Sequence, residues 1–229
     1  MNCLWCDAKI NIIVHWKNFF LPDKNKQICS TCVSQLAFIG GSICQKCGRK
    51  YEGGICKDCQ QWSRQFKYDP LERNIALLKY NDFLKEVISL WKYRGDYVLV
   101  YLFKEHFRQL FFKRYNSIIK NALIVPIPLS EERLLERGFN QAEALAHLLI
   151  SEHVKIDTIL IRKHSEKQSK KTRFERIGSV NPFMAHKKIR KPVILIDDLY
   201  TTGTTLRHAA KVLRTKGCPA VFSFTLARS

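Results

Sequence analysis

The 229-residue chain contains no run of 18 or more apolar residues. Its most apolar candidate, Tyr97 to Phe112, is interrupted by Lys104, Glu105, His106 and Arg108 and reads as an amphipathic helix, so no membrane span is expected. The opening Met-Asn-Cys-Leu-Trp-Cys lacks a basic region followed by an apolar stretch, so no secretory signal is expected. A cytoplasmic protein follows as the expectation, with peripheral membrane association left to its partners. There is no GxGxxG, and no Lys precedes a Ser or Thr in a glycine-rich turn, which excludes the dinucleotide fingerprint and the nucleotide P-loop. Acids are scarce: 20 Asp plus Glu stand against 39 Lys plus Arg, a net charge of +19. That imbalance predicts polyanionic or acidic partners. With 46% apolar residues the chain can bury a core, and its length suits one α/β domain with a small added module.

Cysteine is present in pairs. Eight of the nine form four CxxC pairs, Cys3/Cys6, Cys29/Cys32, Cys44/Cys47 and Cys56/Cys59, all within the first 59 residues. One CxxC could be a redox pair or a zinc half-site. Four in succession, with no sign of an oxidising compartment, predict two structural Zn²⁺ sites of four thiolates each. Sequential pairing gives two ribbons along the chain; interleaved pairing satisfies the same count. The module is expected over 1–62, with the second domain over 63–229. Residues 1–62 carry eight basic and four acidic residues. Two tetrathiolate zinc sites would offset that surplus, so the chain's positive charge belongs to 63–229. The module is therefore expected to serve structure or protein docking, with Trp5, Trp16, Phe19 and Phe20 packing its small core. Cys218 stands alone in a helix-to-strand turn and reads as a small buried residue.

The densest chemistry lies at 192–206. A β-branched run, Val193 to Ile196, ends in Asp197 and Asp198; Leu199, Tyr200, Thr201, Thr202, Gly203, Thr204 and Thr205 follow. The run reads as a buried parallel strand. The small, hydroxyl-rich turn lets backbone N–H groups and Thr hydroxyls converge, and the following helix directs its positive end there, which suits a phosphate. Acids at the carboxyl end of such a strand lie where open α/β sheets place ligands. A phosphate cradle beside two acids suits a ribose 5-phosphate, the acids taking hydroxyls or a metal. Two basic segments add to it. Arg133 and Arg137 lie between a strand ending near Ile127 and a helix from Gln141; Arg137 before Gly138 offers a fork of donors to an oxygen-rich anion, while Asn140 suits a helix cap. The stretch 162–176, with Lys163, Gln168, Ser169, Lys170, Lys171, Arg173 and Arg176, is polar and basic and reads as an anion-binding loop.

Elsewhere strands are expected at 75–80, 122–127, 158–161 and 220–226. Helices are expected at 82–93 (capped by Asp82 and ended by Gly95), 97–115, 141–150 and 204–216. Alternating strands and helices predict an α/β fold with a mostly parallel sheet and helices on both faces.

Asp197 to Thr205 resembles the signature of type I phosphoribosyltransferases, which bind phosphoribosyl pyrophosphate (PRPP); Tyr200 departs from it, where many members carry an aliphatic residue. The CxxC pairs, Lys92-Tyr93-Arg94-Gly95-Asp96, Val125-Pro126-Ile127-Pro128-Leu129, Arg137 to Ala142, Gln168-Ser169, Arg176, Asn181-Pro182-Phe183, the Asp197 segment and Leu226-Ala227-Arg228 together resemble the ComF family of competence proteins. The resemblance implies a double zinc ribbon on a type I phosphoribosyltransferase-like domain, the handling of incoming single-stranded DNA in natural transformation, and a DNA-dependent ATPase of the helicase type as partner. It implies that Thr201 to Thr205 hold the 5-phosphate, that Asp197 and Asp198 hold the ribose directly or through Mg²⁺, that Arg137 and Arg133 neutralise the pyrophosphate, and that the loop around Lys163 to Arg176 closes over it. No nucleobase pocket is legible. Two alternatives compete: an active phosphoribosyltransferase of nucleotide salvage, and a zinc-ribbon adaptor with a vestigial pocket.

Overall fold

The computed structural model describes residues 1–10, 26–65, 68–152, 154–163 and 181–229. A five-stranded parallel sheet carries the fold. Its strands are β1 (Asn74–Lys79), β2 (Leu123–Pro126), β3 (Lys155–Ile156), β6 (Val193–Tyr200) and β7 (Val221–Arg228), in the order β1-β7-β6-β2-β3. Two further strands, β4 (Leu160–Arg162) and β5 (Phe183–Ala185), form a separate antiparallel pair. Parallel strands need crossovers, and a sheet covered on both sides should show apolar residues at successive positions. Val193 to Ile196 are all fully buried. Alternate residues serve opposite faces: Ile194, Ile196 and Phe224 join one core, Val193, Leu195 and Val221 the other.

The first core holds α3 (Asp82–Tyr93), a 3-10 helix (Tyr97–Phe103), α4 (Lys104–Ile119) and part of α6 (Gln141–His147). Leu84, Val87, Ile88 and Trp91 recur at helical spacing on α3 and are all buried. The cap of α3 is Asn81, whose side chain accepts from the Leu84 amide, and not Asp82; Asn81 also donates from Nδ2 to the Gln35 carbonyl. The expected single helix from Tyr97 to Tyr115 is two elements, because the apolar run Tyr97–Phe103 winds as a 3-10 turn before α4 begins. The second core holds α7 (Thr204–Thr215) and the antiparallel pair. The strand expected at 158–161 is displaced: the chain forms the short β3, then β4 at Leu160–Arg162, whose partner Phe183–Ala185 had no alternation to announce it.

The cysteine clusters flank this sheet. Cys3, Cys29 and Cys32 belong to the first core, and Cys44, Cys47, Cys56 and Cys59 to the second. Between them the segment 37–39 runs along the outer strand: the Ile39 amide donates to the Leu77 carbonyl at 3.0 Å and the Lys79 amide to the Ala37 carbonyl at 2.8 Å. This covers an edge that would otherwise offer unpaired backbone groups. Helix α2 (Lys57–Gln65) carries Cys59, and the expected boundary at 62 falls inside it. Among the described residues no helix is long and apolar enough to cross a membrane.

Candidate functional site

Strand β6 does not stop at the acids. Asp197 pairs in register with Thr225, Leu199 with Ala227 and Tyr200 with Arg228. The sequence suggested an end at Ile196 because the apolar run stops there; the ladder with β7 carries the strand four residues further. Asp197 and Asp198 are half-buried, and the Asp197 carboxylate accepts from the Asp198 amide at 2.9 Å. Burial pushes the Asp197 carboxyl well above the usual range, and the neighbouring Asp198 charge adds to the push. Burial also opposes the Asp198 charge, but Lys92, which forms an ion pair with it, prevails and holds that carboxyl below its usual value; Arg137 contributes at longer range. The two acids thus have unlike roles: one is reluctant to ionise and one is held as an anion.

The turn after β6 is Thr201, Thr202 and Gly203, and α7 begins at Thr204. Gly203 has φ +80°, a conformation that favours glycine. Space imposes the same choice, since a Cβ there would lie 2.2 Å from the Tyr200 hydroxyl and 2.4 Å from Arg207 Nη1. Thr201 and Thr205 are exposed, Thr202 is half-buried, and Thr204 is buried with its hydroxyl 2.8 Å from that of Thr202. The turn is therefore open to solvent above and filled below. Tyr200 belongs to the filling: its side chain is buried and its hydroxyl accepts from Arg207 Nη1 at 2.7 Å, so any ligand contact from this residue falls to its backbone.

Arg207 is itself buried. It donates to both oxygens of Asp69, at 3.2 and 3.1 Å, and its guanidinium lies 4.7 Å from the Trp62 ring centre. Trp62 donates from its indole to the Thr202 carbonyl at 3.0 Å. The helix that bears Cys59 thus braces the threonine turn from beneath. Nothing in local sequence signals this contact between residues 140 positions apart.

The basic residues divide. Arg137, the last residue of α5 (Glu131–Arg137), is half-buried; it donates to Gln141 at 2.7 Å and lies 5.9 Å from the Tyr93 ring centre. Its Nε is buried without a hydrogen-bond partner. Arg133 is exposed one turn earlier on α5, which Ser130 caps. Lys163 is exposed at the end of β4. Gln168, Ser169, Lys170, Lys171, Arg173 and Arg176 lie outside the described residues, as do Trp16, Phe19 and Phe20. Two residues absent from the sequence-based site join it: Lys92 through Asp198, and Arg162, whose guanidinium feels burial first, then the repulsion of Arg133 and the attraction of Asp197. Lys92 stood in a family-like segment without a role, and Arg162 opened the basic loop; these were the only signals.

The cysteines form two clusters, Cys3, Cys6, Cys29, Cys32 and Cys44, Cys47, Cys56, Cys59, with all sulfurs in each within 4.8 Å of one another. Pairing is therefore sequential. A tetrahedral ion with Zn–S near 2.3 Å requires sulfurs about 3.8 Å apart. Cys6 and Cys29 are 3.6 Å apart and Cys47 and Cys56 3.7 Å, so the donor sets fit zinc.

Comparison with known proteins agrees with both halves. Residues 1–60 match the double zinc ribbon domain and residues 102–229 the phosphoribosyl transferase domain. The chain is 43% identical to competence protein ComFC of Bacillus subtilis (strain 168), covering 99% of this chain and 95% of the relative. It is 32% identical to competence protein ComFC of Streptococcus pneumoniae (strain ATCC BAA-255 / R6), with all of both chains covered. It is 25% identical to the DNA utilization protein YhgH of Escherichia coli O157:H7 over 88% of this chain and 90% of that one. Fold and site thus define a phosphoribosyltransferase-like domain joined to a double zinc ribbon. The chain belongs to the ComFC family of competence proteins.

Proposed function

We propose that this protein binds PRPP with Mg²⁺ at the carboxyl end of β6 and serves DNA uptake, handling incoming single-stranded DNA in the cytoplasm with a DNA-dependent ATPase as partner. The observation that carries the ligand is the meeting of two acids with a glycine-pivoted threonine turn that is open above and braced below. Thr201, Thr202, Gly203 and Thr205 would receive the 5-phosphate at the positive end of α7. Asp197 and Asp198 offer the hard oxygen ligands that Mg²⁺ takes alongside ribose hydroxyls. Arg137, with an unpartnered buried Nε, and Arg162 supply positive charge for a pyrophosphate, and Arg133 adds to it. The DNA role is supported by the relatives, which are competence and DNA utilization proteins, and by the positive charge of residues 63–229.

Calorimetric titration of the zinc-loaded protein with PRPP, with and without Mg²⁺, tests the site. The expected result is saturable, Mg²⁺-dependent binding in the wild type and none in Asp197→Ala/Asp198→Ala, whose zinc content stays unchanged. Undiminished PRPP affinity in that variant would overturn the assignment.

A further inference from the structure

A cavity of ≈ 400 Å³ opens between the second cysteine ribbon and the carboxyl ends of β1 and β7. It is lined by Ile39, Arg49, Lys50, Lys79, Tyr80, Arg228 and Ser229. Four of these seven side chains are cationic. Arg49 is occupied by Asp58 at 3.2 Å. Lys50 and Lys79 are exposed, and among the described residues neither has a carboxylate partner. Arg228 is the telling member. It is 5% exposed, its Nη1 donates to the Tyr200 carbonyl at 3.2 Å, and its Nε is buried with no hydrogen-bond partner. A buried guanidinium is costly unless its donors are met. Its guanidinium also lies 4.8 Å from the Tyr200 ring centre, which leaves its Nε unmet.

We propose that this cleft is a phosphate-binding subsite for the backbone of a single-stranded nucleic acid. The proposal rests on the DNA reading above and gives it a surface. Three features select that ligand. The cavity matches the volume of a pocket for a nucleotide-sized ligand and not of a duplex. Its cations come from three separate elements, so that more than one phosphate of a strand can be met, and Tyr80 adds an aromatic ring on which a base can stack. The cleft also adjoins the sugar-phosphate site: Arg228 lies opposite Tyr200 in the β6–β7 register, and Tyr200 immediately precedes the threonine turn. A strand lying there would run past the PRPP site while the ribbon forms its other wall.

The test is fluorescence anisotropy of a 5′-labelled thymidine oligonucleotide of about 20 residues, a length that exceeds a typical single-strand site, titrated with the full zinc-loaded chain at several salt concentrations. Lys50→Glu/Lys79→Glu alters two exposed side chains and leaves the core intact. It should weaken oligonucleotide binding at least ~10-fold at low salt and flatten the log–log salt dependence by about 1.4, two contacts of roughly 0.7 each, while PRPP affinity stays unchanged. Equal oligonucleotide affinity and slope in variant and wild type would overturn the cleft alone and leave the DNA reading standing. Absence of oligonucleotide binding by the wild type would overturn both. Loss of inorganic pyrophosphate binding in the variant, with oligonucleotide binding intact, would assign the cleft to a free polyphosphate and overturn the strand.

Discussion

Removing the Asp69 carboxylate by Asp69→Ala should unfasten the support beneath the threonine turn. Arg207 and Asp69 are 1% and 6% exposed and joined by two hydrogen bonds. Removing one partner of a buried pair strands the other charge, at a cost of about 3–5 kcal/mol. Arg207 would keep the Tyr200 hydroxyl and the Trp62 ring, so the lower end, about 3 kcal/mol, is expected here. At roughly 2–4 °C per kcal/mol for a domain of this size, Tm should fall on the order of 10 °C. Urea unfolding followed by far-UV circular dichroism measures the change directly, with the slope checked for constancy so that the midpoint shift reports stability. The comparison that isolates the mechanism is Asp69→Leu/Arg207→Met. It removes both charges together and should be markedly more stable than Asp69→Ala, because no unpaired cation remains. Both variants should bind PRPP more weakly than wild type, since Arg207 no longer holds its place under Gly203. A loss below about 1 kcal/mol in Asp69→Ala would mean that the pair behaves as a solvated surface contact, and the account of a braced turn would fail.

Gly203→Ala should abolish PRPP binding and lower Tm, because the new methyl meets the Tyr200 hydroxyl and Arg207 at positive φ; an unchanged titration and melting curve would show that the turn has slack. Asp197→Asn should raise stability at neutral pH while removing PRPP binding. Its folded pKa lies above the unfolded one, so the carboxylate costs stability once pH rises through that interval, and the amide variant should lose this pH-dependent fall. Lys92→Met should act in the opposite sense. Asp198 is depressed in the fold, so its contribution is present above the unfolded carboxylate pKa and lost as pH falls through the folded one; chemical denaturation between pH 3 and 7 should show the variant losing that acid-side dependence. Elemental analysis should find about two zinc ions per chain from the tetrathiolate sets, and Cys59→Ser should lose one of them together with PRPP affinity, because α2 positions Trp62.

What the sequence disclosed and what it hid follow from the range of each interaction. The β6 segment was legible because its apolar run, acids and hydroxyl turn are contiguous, and the cysteine clusters because metal-binding pairs sit three residues apart. The cap of α3 was misplaced by one residue because Asn81 and Asp82 carry equally suitable side chains and only tertiary contact, Asn81 to the Gln35 carbonyl, separates them. Strand β5 has no counterpart in the sequence reading because a three-residue strand shows too little alternation to register. Lys92 reached the site only through folding, which sets the end of α3 against Asp198, and Arg162 only by coming within electrostatic reach of Asp197.

The ribbons' near-neutral charge then acquires a physical sense. A cationic module packed against a buried Arg207 and a buried Arg228 would repel both. Tetrathiolate zinc clusters invert that sign locally: the second cluster shares a core with Tyr200, whose hydroxyl contacts Arg207. The same module covers the outer edge of β1, supplies Trp62 to the threonine turn and forms one wall of the basic cleft. Loss of metal should therefore first be felt at the threonine turn rather than in the sheet, since β6 and β7 are held by their own ladder while the Thr202 carbonyl depends on the Trp62 indole of the helix that carries Cys59.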